Sequence, residues 1–241
     1  MSKGVYVALS GAVAQQNALD TTALNVANAS STGYQRLRPV FRQALAGAVA
    51  RDGGLRYAAT SRTAIDTTPG ATRVTERGLD VALPPGVYLA VTTPRGERYT
   101  RAGNLTLDKD GTLKTASGTP VAREDGAPIK VSGAGEVRID PDGSVKVGDG
   151  VAGKLKLVKF ERPDALEPEG SSLLAIGGAG AATAASEPLT VGALEESNAQ
   201  PMVAMTELMT ASRTFEAFQK VLDQFGEIDR KLLTTVPTAV E

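Results

Sequence analysis

Residues 21–35 read TTALNVANASSTGYQ, with apolar residues at helical spacing, two asparagines three positions apart, and then Ser-Ser-Thr-Gly. Residues 195–209, EESNAQPMVAMTELM, form a second stretch in which an asparagine precedes a helical pattern. Between the two stretches the apolar residues follow a different period. The sequence therefore predicts helices at both ends of the chain and a centre of another kind.

The N-terminal helix predicted over segment 1–35 has apolar residues at alternating steps of four and three, the spacing of a heptad seam. Ser30 to Gly33 would end this helix, because hydroxyl side chains compete for backbone hydrogen bonds and glycine adopts positive φ. Asn25 and Asn28 would either help to end the helix or face a partner. The seam positions are Val5, Leu9, Ala12, Gln16, Leu19, Ala23 and Val26.

The composition excludes several classes of function. Lys and Arg total 26 against 27 Asp and Glu, a net charge of −1 without the basic excess of a nucleic-acid surface. Histidine and cysteine are both absent, which removes thiol and imidazole nucleophiles, common zinc sites and Ser-His-Asp triads. No apolar run reaches the roughly 18–20 residues that span a bilayer. We expect no enzyme, no cofactor, no metal, no nucleic-acid partner and no direct membrane insertion.

The first residues also resemble a secretory signal, since Lys3 precedes an apolar run with the small-residue pattern Ala12-Val13-Ala14. The helical spacing, however, continues to Val26 through the supposed cleavage point. This continuity favours a helix of the mature protein over a cleaved leader.

Segment 36–78 has a locally basic composition and weak periodicity. It is predicted to be an extended connector that becomes ordered against a partner, with a plain flexible linker as the alternative. Its arginines are Arg36, Arg38, Arg42, Arg51, Arg56, Arg62, Arg73 and Arg77, and its acids are Asp52, Asp66 and Glu76.

Segment 79–193 changes to a period of two, as in VYLAV at 87–91 and NLTLD at 104–108. Turn sequences such as Asp140-Pro-Asp-Gly143 separate these runs at intervals of eight to twelve residues. Short alternating runs between Asp-Gly turns predict an antiparallel sandwich or barrel-like domain. Gly148 to Lys154 imitates a phosphate-binding loop, but Leu155 stands where Ser or Thr should, and a strand pattern follows.

Segment 194–241 carries the strongest helical pattern of the chain. Asn198 is predicted to be its N-cap, with Pro201 at the third helical position. The stripe again alternates steps of four and three, which predicts a coiled-coil-like pairing of the two ends in an inner domain of an α+β protein. The stripe comprises Ala204, Leu208, Ala211, Phe215, Phe218, Leu222, Phe225, Asp229 and Leu232.

Four ordered motifs resemble the flagellar rod and hook protein family. They are LNVANASSTGYQ at 24–35, GLDVALPPGVYLAV at 78–91, YTRAGNLTLDKDGTLKTASGTPV at 99–121 and LEESNAQPMVAMTELMTASRTFEAFQKVL at 194–222. The short chain and the Pro84-Pro85-Gly86 stretch are most similar to the proximal rod member beside the distal rod. The distal rod member and, from another class, a secreted β-rich binding module are the alternatives.

The resemblance implies a non-enzymatic subunit of the bacterial flagellar basal body, self-assembled into the helical rod that crosses the periplasm and transmits torque. It implies partners in copies of the chain, in neighbouring rod proteins and in the flagellar type III export apparatus, with export that involves no cleaved signal peptide. The residues expected at assembly interfaces are Leu9, Val13, Leu19, Asn25, Val26, Asn28, Gly33, Asn198, Met205, Leu208, Phe215, Phe218, Leu222 and Phe225.

Overall fold

The computed structural model describes residues 3–45, 56–132, 135–148, 150–170 and 172–235. Two long helices, α1 (Lys3–Ala27) and α2 (Pro201–Thr235), stand before and after a region that is mostly β-structure. The α+β class and the helices at both ends of the chain are therefore confirmed. A coiled-coil pairing of the helices is not confirmed and stays a prediction.

The β-strands are short, and every pairing that the structure defines in register is antiparallel. A 3-10 helix, Pro163–Ala165, precedes β13. The strands are β1 (Leu37–Leu45), β2 (Arg56–Ile65), β3 (Thr72–Val74), β4 (Val81–Ala82), β5 (Val87–Thr93), β6 (Gly96–Thr100), β7 (Leu105–Leu107), β8 (Leu113–Thr115), β9 (Val137–Ile139), β10 (Ser144–Val147), β11 (Gly150–Lys154), β12 (Leu157–Lys159), β13 (Glu167–Glu169), β14 (Leu173–Ala175), β15 (Thr183–Ala184), β16 (Thr190–Val191) and β17 (Ala193–Glu195).

The largest sheet has six strands in the order β13-β14-β6-β5-β12-β15. Its strand β5 contains the predicted VYLAV run, and all five of those residues are buried. Tyr88 and Ala90 join one hydrophobic cluster, whereas Val87 and Leu89 join the other. Both faces of β5 are thus covered, because successive side chains of a strand point to opposite faces.

Smaller sheets complete the β region. Strands β9, β10 and β11 form one sheet, and β7 pairs with β8. The turn between β9 and β10 is closed by a hydrogen bond from Gly143 N to Asp140 O, as the Asp-Gly signal predicts. The glycines that imitate a phosphate loop lie in a turn and in β11, not before a helix, so their arrangement does not form a phosphate site.

The chain divides into two compact units. The first comprises Met1–Leu24, Arg38–Thr63 and Met202–Glu241, and it contains most of both helices. The second comprises Asn25–Leu37 and Ala64–Pro201, and it contains both hydrophobic clusters. Within the first unit, β1 and β2 pair in a two-stranded sheet, so part of the predicted connector forms β-structure.

The prediction that Asn198 caps α2 is wrong. The helix begins at Pro201, three residues later, with proline in its first position. A proline is accommodated there because its missing N–H would have no partner inside the helix. The side chain of Asn198 forms other hydrogen bonds, which hold the chain segment before the helix.

Candidate functional site: a buried junction and two helix faces

In the second unit, the segment after α1 meets the segment before α2. Gly33 N donates to Glu195 O at 2.8 Å. Gly33 has a φ of +65°, and a Cβ there would lie 2.3 Å from the carbonyl carbon and oxygen of Arg101. The site therefore requires glycine for two reasons, the left-handed backbone and the closeness of a second chain segment. Glu195 also accepts a hydrogen bond from Gly70 N at 3.1 Å through Oε1.

Arg101 is the central side chain of this junction. It is 2% exposed and forms an ion pair with Glu195, whose side chain is 5% exposed. Its Nε donates to Glu195 Oε2 at 2.8 Å, and Nη2 donates to the same oxygen. The remaining N–H groups donate to the carbonyl oxygens of Leu83, Pro84 and Val87 at 2.6–3.0 Å. The guanidinium group thus joins the start of the β region to the strand that leads to α2, with its donors satisfied.

Asn25 closes the exit of α1. Its Oδ1 accepts from Leu37 N at 2.8 Å and from Tyr34 Oη at 3.1 Å, and its Nδ2 donates to Leu37 O at 2.9 Å. Asn28 is also buried, and its Oδ1 accepts from Ser31 Oγ at 3.1 Å. Burial raises the pKa of Tyr34 to about 12, because its phenolate would lose solvation. Both asparagines therefore fold the chain back after the helix.

Asn198 has the corresponding role before α2. Its Oδ1 accepts from Arg36 N at 2.6 Å, and its Nδ2 donates to Asp66 O at 2.9 Å and Thr68 O at 2.7 Å. Its own backbone N–H donates to Tyr34 O at 3.2 Å. One amide side chain consequently holds three segments of the chain together. These bonds account for the position of Asn198 outside the helix.

The side-chain groups of the junction are amides, the hydroxyls of Tyr34 and Ser31, and one ion pair, and each of them forms a hydrogen bond or an ion pair within the chain. Within the described parts of the chain, no cluster of three or more Asp or Glu residues could hold a metal ion. Within the second unit, the junction holds the segment after α1 and the segment before α2 against the β region.

In the first unit, the predicted stripe of α2 lies on the less exposed side of the helix. Ala204 and Ala211 are buried, whereas the longer stripe residues are only partly buried. Met205, which is among the residues expected at assembly interfaces, is exposed. The partly buried members are Leu208, Phe215, Phe218, Leu222 and Phe225.

The buried face of α1 differs from the predicted seam. Ala12 of the seam is buried, but so are Ala8 and Ala14 outside it, whereas Leu9 and Val13 are exposed and Leu19 and Val26 are partly buried. The physical reason is steric, because small side chains allow a neighbouring backbone to come close and large ones would hold it away. The exposed apolar side chains of α1 therefore lie away from the buried alanines.

The sequence interpretation missed Arg101, Glu195 and Gly11. Arg101 and Glu195 lie inside motifs that were recognised, but their pairing joins positions far apart in the chain, which no local pattern reveals. The available signal was local, since Arg101 is a charged residue that directly follows a strand and precedes the small residues Ala102 and Gly103.

Neither described helix combines the length and apolarity that crossing a bilayer requires.

Three protein-family models match the chain. A model described as flagella basal body rod protein matches residues 5–35. A model described as flagellar hook protein FlgE/F/G D1 domain matches residues 86–147, and one described as flagellar basal body rod FlgEFG protein C-terminal matches residues 190–235. The matches cover segments at both ends of the chain and part of the β region between them.

Individual relatives are similar over nearly the full length. The chain is 32% identical over 262 residues to the flagellar basal-body rod protein FlgG of Bacillus subtilis, covering 97% of this chain and 98% of that one. It is 35% identical over 246 residues to the flagellar basal-body rod protein FlgF of Salmonella typhimurium, covering 94% and 95%. It is 28% identical over 246 residues to FlgF of Mesorhizobium japonicum, covering 98% of each chain.

Proposed function

The chain belongs to the flagellar basal-body rod protein family and is a structural, non-enzymatic rod subunit, and on this premise we propose that its copies assemble through the terminal helices into a helical tube that transmits torque to the hook. Its partners in the basal body are further rod proteins and copies of itself. The proposed inner domain comprises 1–35 and 194–241, joined by 36–78 to the β domain at 79–193.

The observation that carries this proposal is the number of large apolar side chains left exposed on both helices. A single copy does not cover them, and burying one such side chain contributes about 1.5–3 kcal/mol. Contiguous exposed apolar surface marks sites of protein association. These residues are Tyr6, Val7, Leu9, Val13 and Leu24 on α1, and Met202, Val203, Met205, Met209, Val221 and Ile228 on α2.

The test compares two neighbouring exposed residues of α2. Met205→Glu places a charge in the proposed contact and is expected to abolish swimming and recovery of the protein in isolated basal bodies. Thr206→Glu places the same charge on an adjacent exposed position outside the apolar set and is expected to retain both. Cells carry each variant in place of the chromosomal gene, and secretion of the subunit is measured as a control for expression.

Equal behaviour of the two variants would contradict the assignment of this helix face. Phe215→Asp probes the partly buried stripe in the same assay and is expected to block rod incorporation while the protein remains expressed. Leu208, Phe218, Leu222 and Phe225 belong to that stripe. We propose that they stabilise the helices inside the tube wall, together with Leu19 and Val26.

We propose a different role for Asn25, Asn28, Gly33 and Asn198. Their buried or partly buried positions and intrachain hydrogen bonds support a function in holding together the segments that flank the β domain.

Export and position complete the proposal. The subunit passes through the flagellar type III apparatus without a cleaved leader and joins the part of the rod that crosses the periplasm. The Pro84-Pro85-Gly86 stretch and the short chain favour the proximal side, next to the distal rod. Electron microscopy of basal bodies with a tag in a β-domain turn would test this, since labels at the distal end would favour the distal alternative.

A further inference from the structure

One contact between the two helices of the first unit combines a glycine with an aromatic ring. A Cβ built on Gly11 of α1 would lie 2.6 Å from Cε1 and 2.9 Å from Cζ of Phe218 in α2. Real Cβ atoms do not approach a ring this closely. The ring of Phe218 therefore occupies the space that any other residue at position 11 would fill.

The cost of glycine at this position indicates that the space is needed. Glycine in the interior of a helix is destabilising relative to alanine, because it loses more backbone entropy. Gly11 lies well inside α1, which runs from Lys3 to Ala27. The destabilisation of the helix by Gly11 is offset only if the packing of the Phe218 ring requires glycine at this position.

A second contact defines the direction of the pair. Gln15, four residues further along α1, donates through Nε2 to the backbone oxygen of Ala211 at 3.3 Å. Ala211 lies seven residues before Phe218 along α2. Because the later residue of α1, Gln15, contacts the earlier residue of α2, Ala211, the two helices run antiparallel through these contacts.

The two contacts, Gly11 with Phe218 and Gln15 with Ala211, occur together in this register of α1 and α2. We propose that the pair of Gly11 and Phe218 forms a size-matched lock that selects this register of the terminal helices inside a single subunit.

A register displaced toward the end of α1 loses the match. Sliding α2 by one heptad in that direction brings Phe218 against Ala18, whose methyl group occupies the space that the ring requires. The lock thereby determines which apolar side chains stay outside for a second copy.

The absence of cysteine from the chain allows a direct measurement of register. Gln15→Cys with Ala211→Cys places the only thiol pair across the second contact. Full-length subunit at low concentration is treated with a short bifunctional maleimide, and the internally linked monomer is separated from linked dimers by gel electrophoresis. We expect efficient internal linkage in this background.

Gly11→Ala and Gly226→Ala then provide a matched comparison in the same background. Gly226 lies in α2 with nothing within 4 Å of a built Cβ, so its replacement improves helix propensity alone and should maintain or raise linkage. Gly11→Ala should lower linkage about tenfold, because the added methyl group overpacks against the ring. An equal or improved yield with Gly11→Ala would overturn the proposal.

The second part of the experiment removes the aromatic ring of Phe218. In a Phe218→Leu background the added methyl group has more room, so Gly11→Ala should no longer reduce linkage and should behave like Gly226→Ala. Loss of linkage by the same factor in both backgrounds would show that Gly11 acts without Phe218 and would contradict the lock. The measurement is made on the free subunit, so it is independent of whether the proposed tube contacts are correct.

Discussion

At the scale of single residues, Gly33 combines a positive φ with a close approach of the chain, and the two effects can be separated. Gly86 has a similar φ of +74° with nothing within 4 Å of a built Cβ. Gly86→Ala should cost about 1–2 kcal/mol through the left-handed backbone alone. Gly33→Ala should cost about 1–3 kcal/mol more, because its methyl group meets the Arg101 backbone. Thermal unfolding of the two purified variants measures this difference, and equal costs would contradict the role of the close approach.

Arg101 and Glu195 allow a similar comparison between a buried and an exposed ion pair. Arg101→Lys and Glu195→Gln should each lower the free energy of unfolding by about 3–5 kcal/mol, because the partner left behind is buried and loses hydrogen bonds. Arg73 and Glu196 form an ion pair at 3.0 Å with 59% and 50% of their side chains exposed. Glu196→Gln should change stability by less than about 1 kcal/mol. Denaturant unfolding of all three variants tests the contrast.

At the scale of elements, the sequence predicted both helices and the main strands because each has a regular apolar period. The buried face of α1 could not be predicted in full, since the seam favours large residues such as Leu9, whereas the helix buries the alanines around Gly11. The start of α2 was misplaced because Asn198 has the chemistry of an N-cap. Local propensity cannot show that its amide is held by Arg36, Asp66 and Thr68.

This difference in the role of Asn198 can be measured with two substitutions. Asn198→Ser retains a good capping group, whereas Asn198→Ala does not. Because the junction uses the amide as two donors and one acceptor, serine should lose nearly as much stability as alanine, about 1–3 kcal/mol in each case. Chemical denaturation of both variants provides the measurement. Full retention of stability with serine would restore the interpretation of Asn198 as a cap.

At the scale of the whole molecule, the hydrophobic core of the β region includes residues from both sides of the segment with period two. Tyr34, Leu37 and Ile65 precede that segment and Ala199 follows it, yet all four belong to the cluster that contains Tyr88 and Phe160. Alternation of apolar residues predicted segment 79–193 because it repeats locally. The alternating pattern could not identify these four side chains, because they lie outside the alternating segment and the junction places them in the core.

The extent of the core predicts how fragments of the chain should fold. A fragment comprising residues 25–201 retains the cluster and the junction, and it should unfold in one cooperative transition. A fragment comprising residues 79–193 lacks these four core side chains and Glu195, which leaves Arg101 buried without its partner. Each lost large apolar side chain exposes a cavity, and removing such groups costs about 2–5 kcal/mol. That total is comparable with the 5–15 kcal/mol by which a domain is stable, so the shorter fragment should be largely unfolded or should lose cooperativity. Circular dichroism during thermal unfolding distinguishes the two, and a cooperative 79–193 fragment as stable as 25–201 would show that the junction does not hold the β region together.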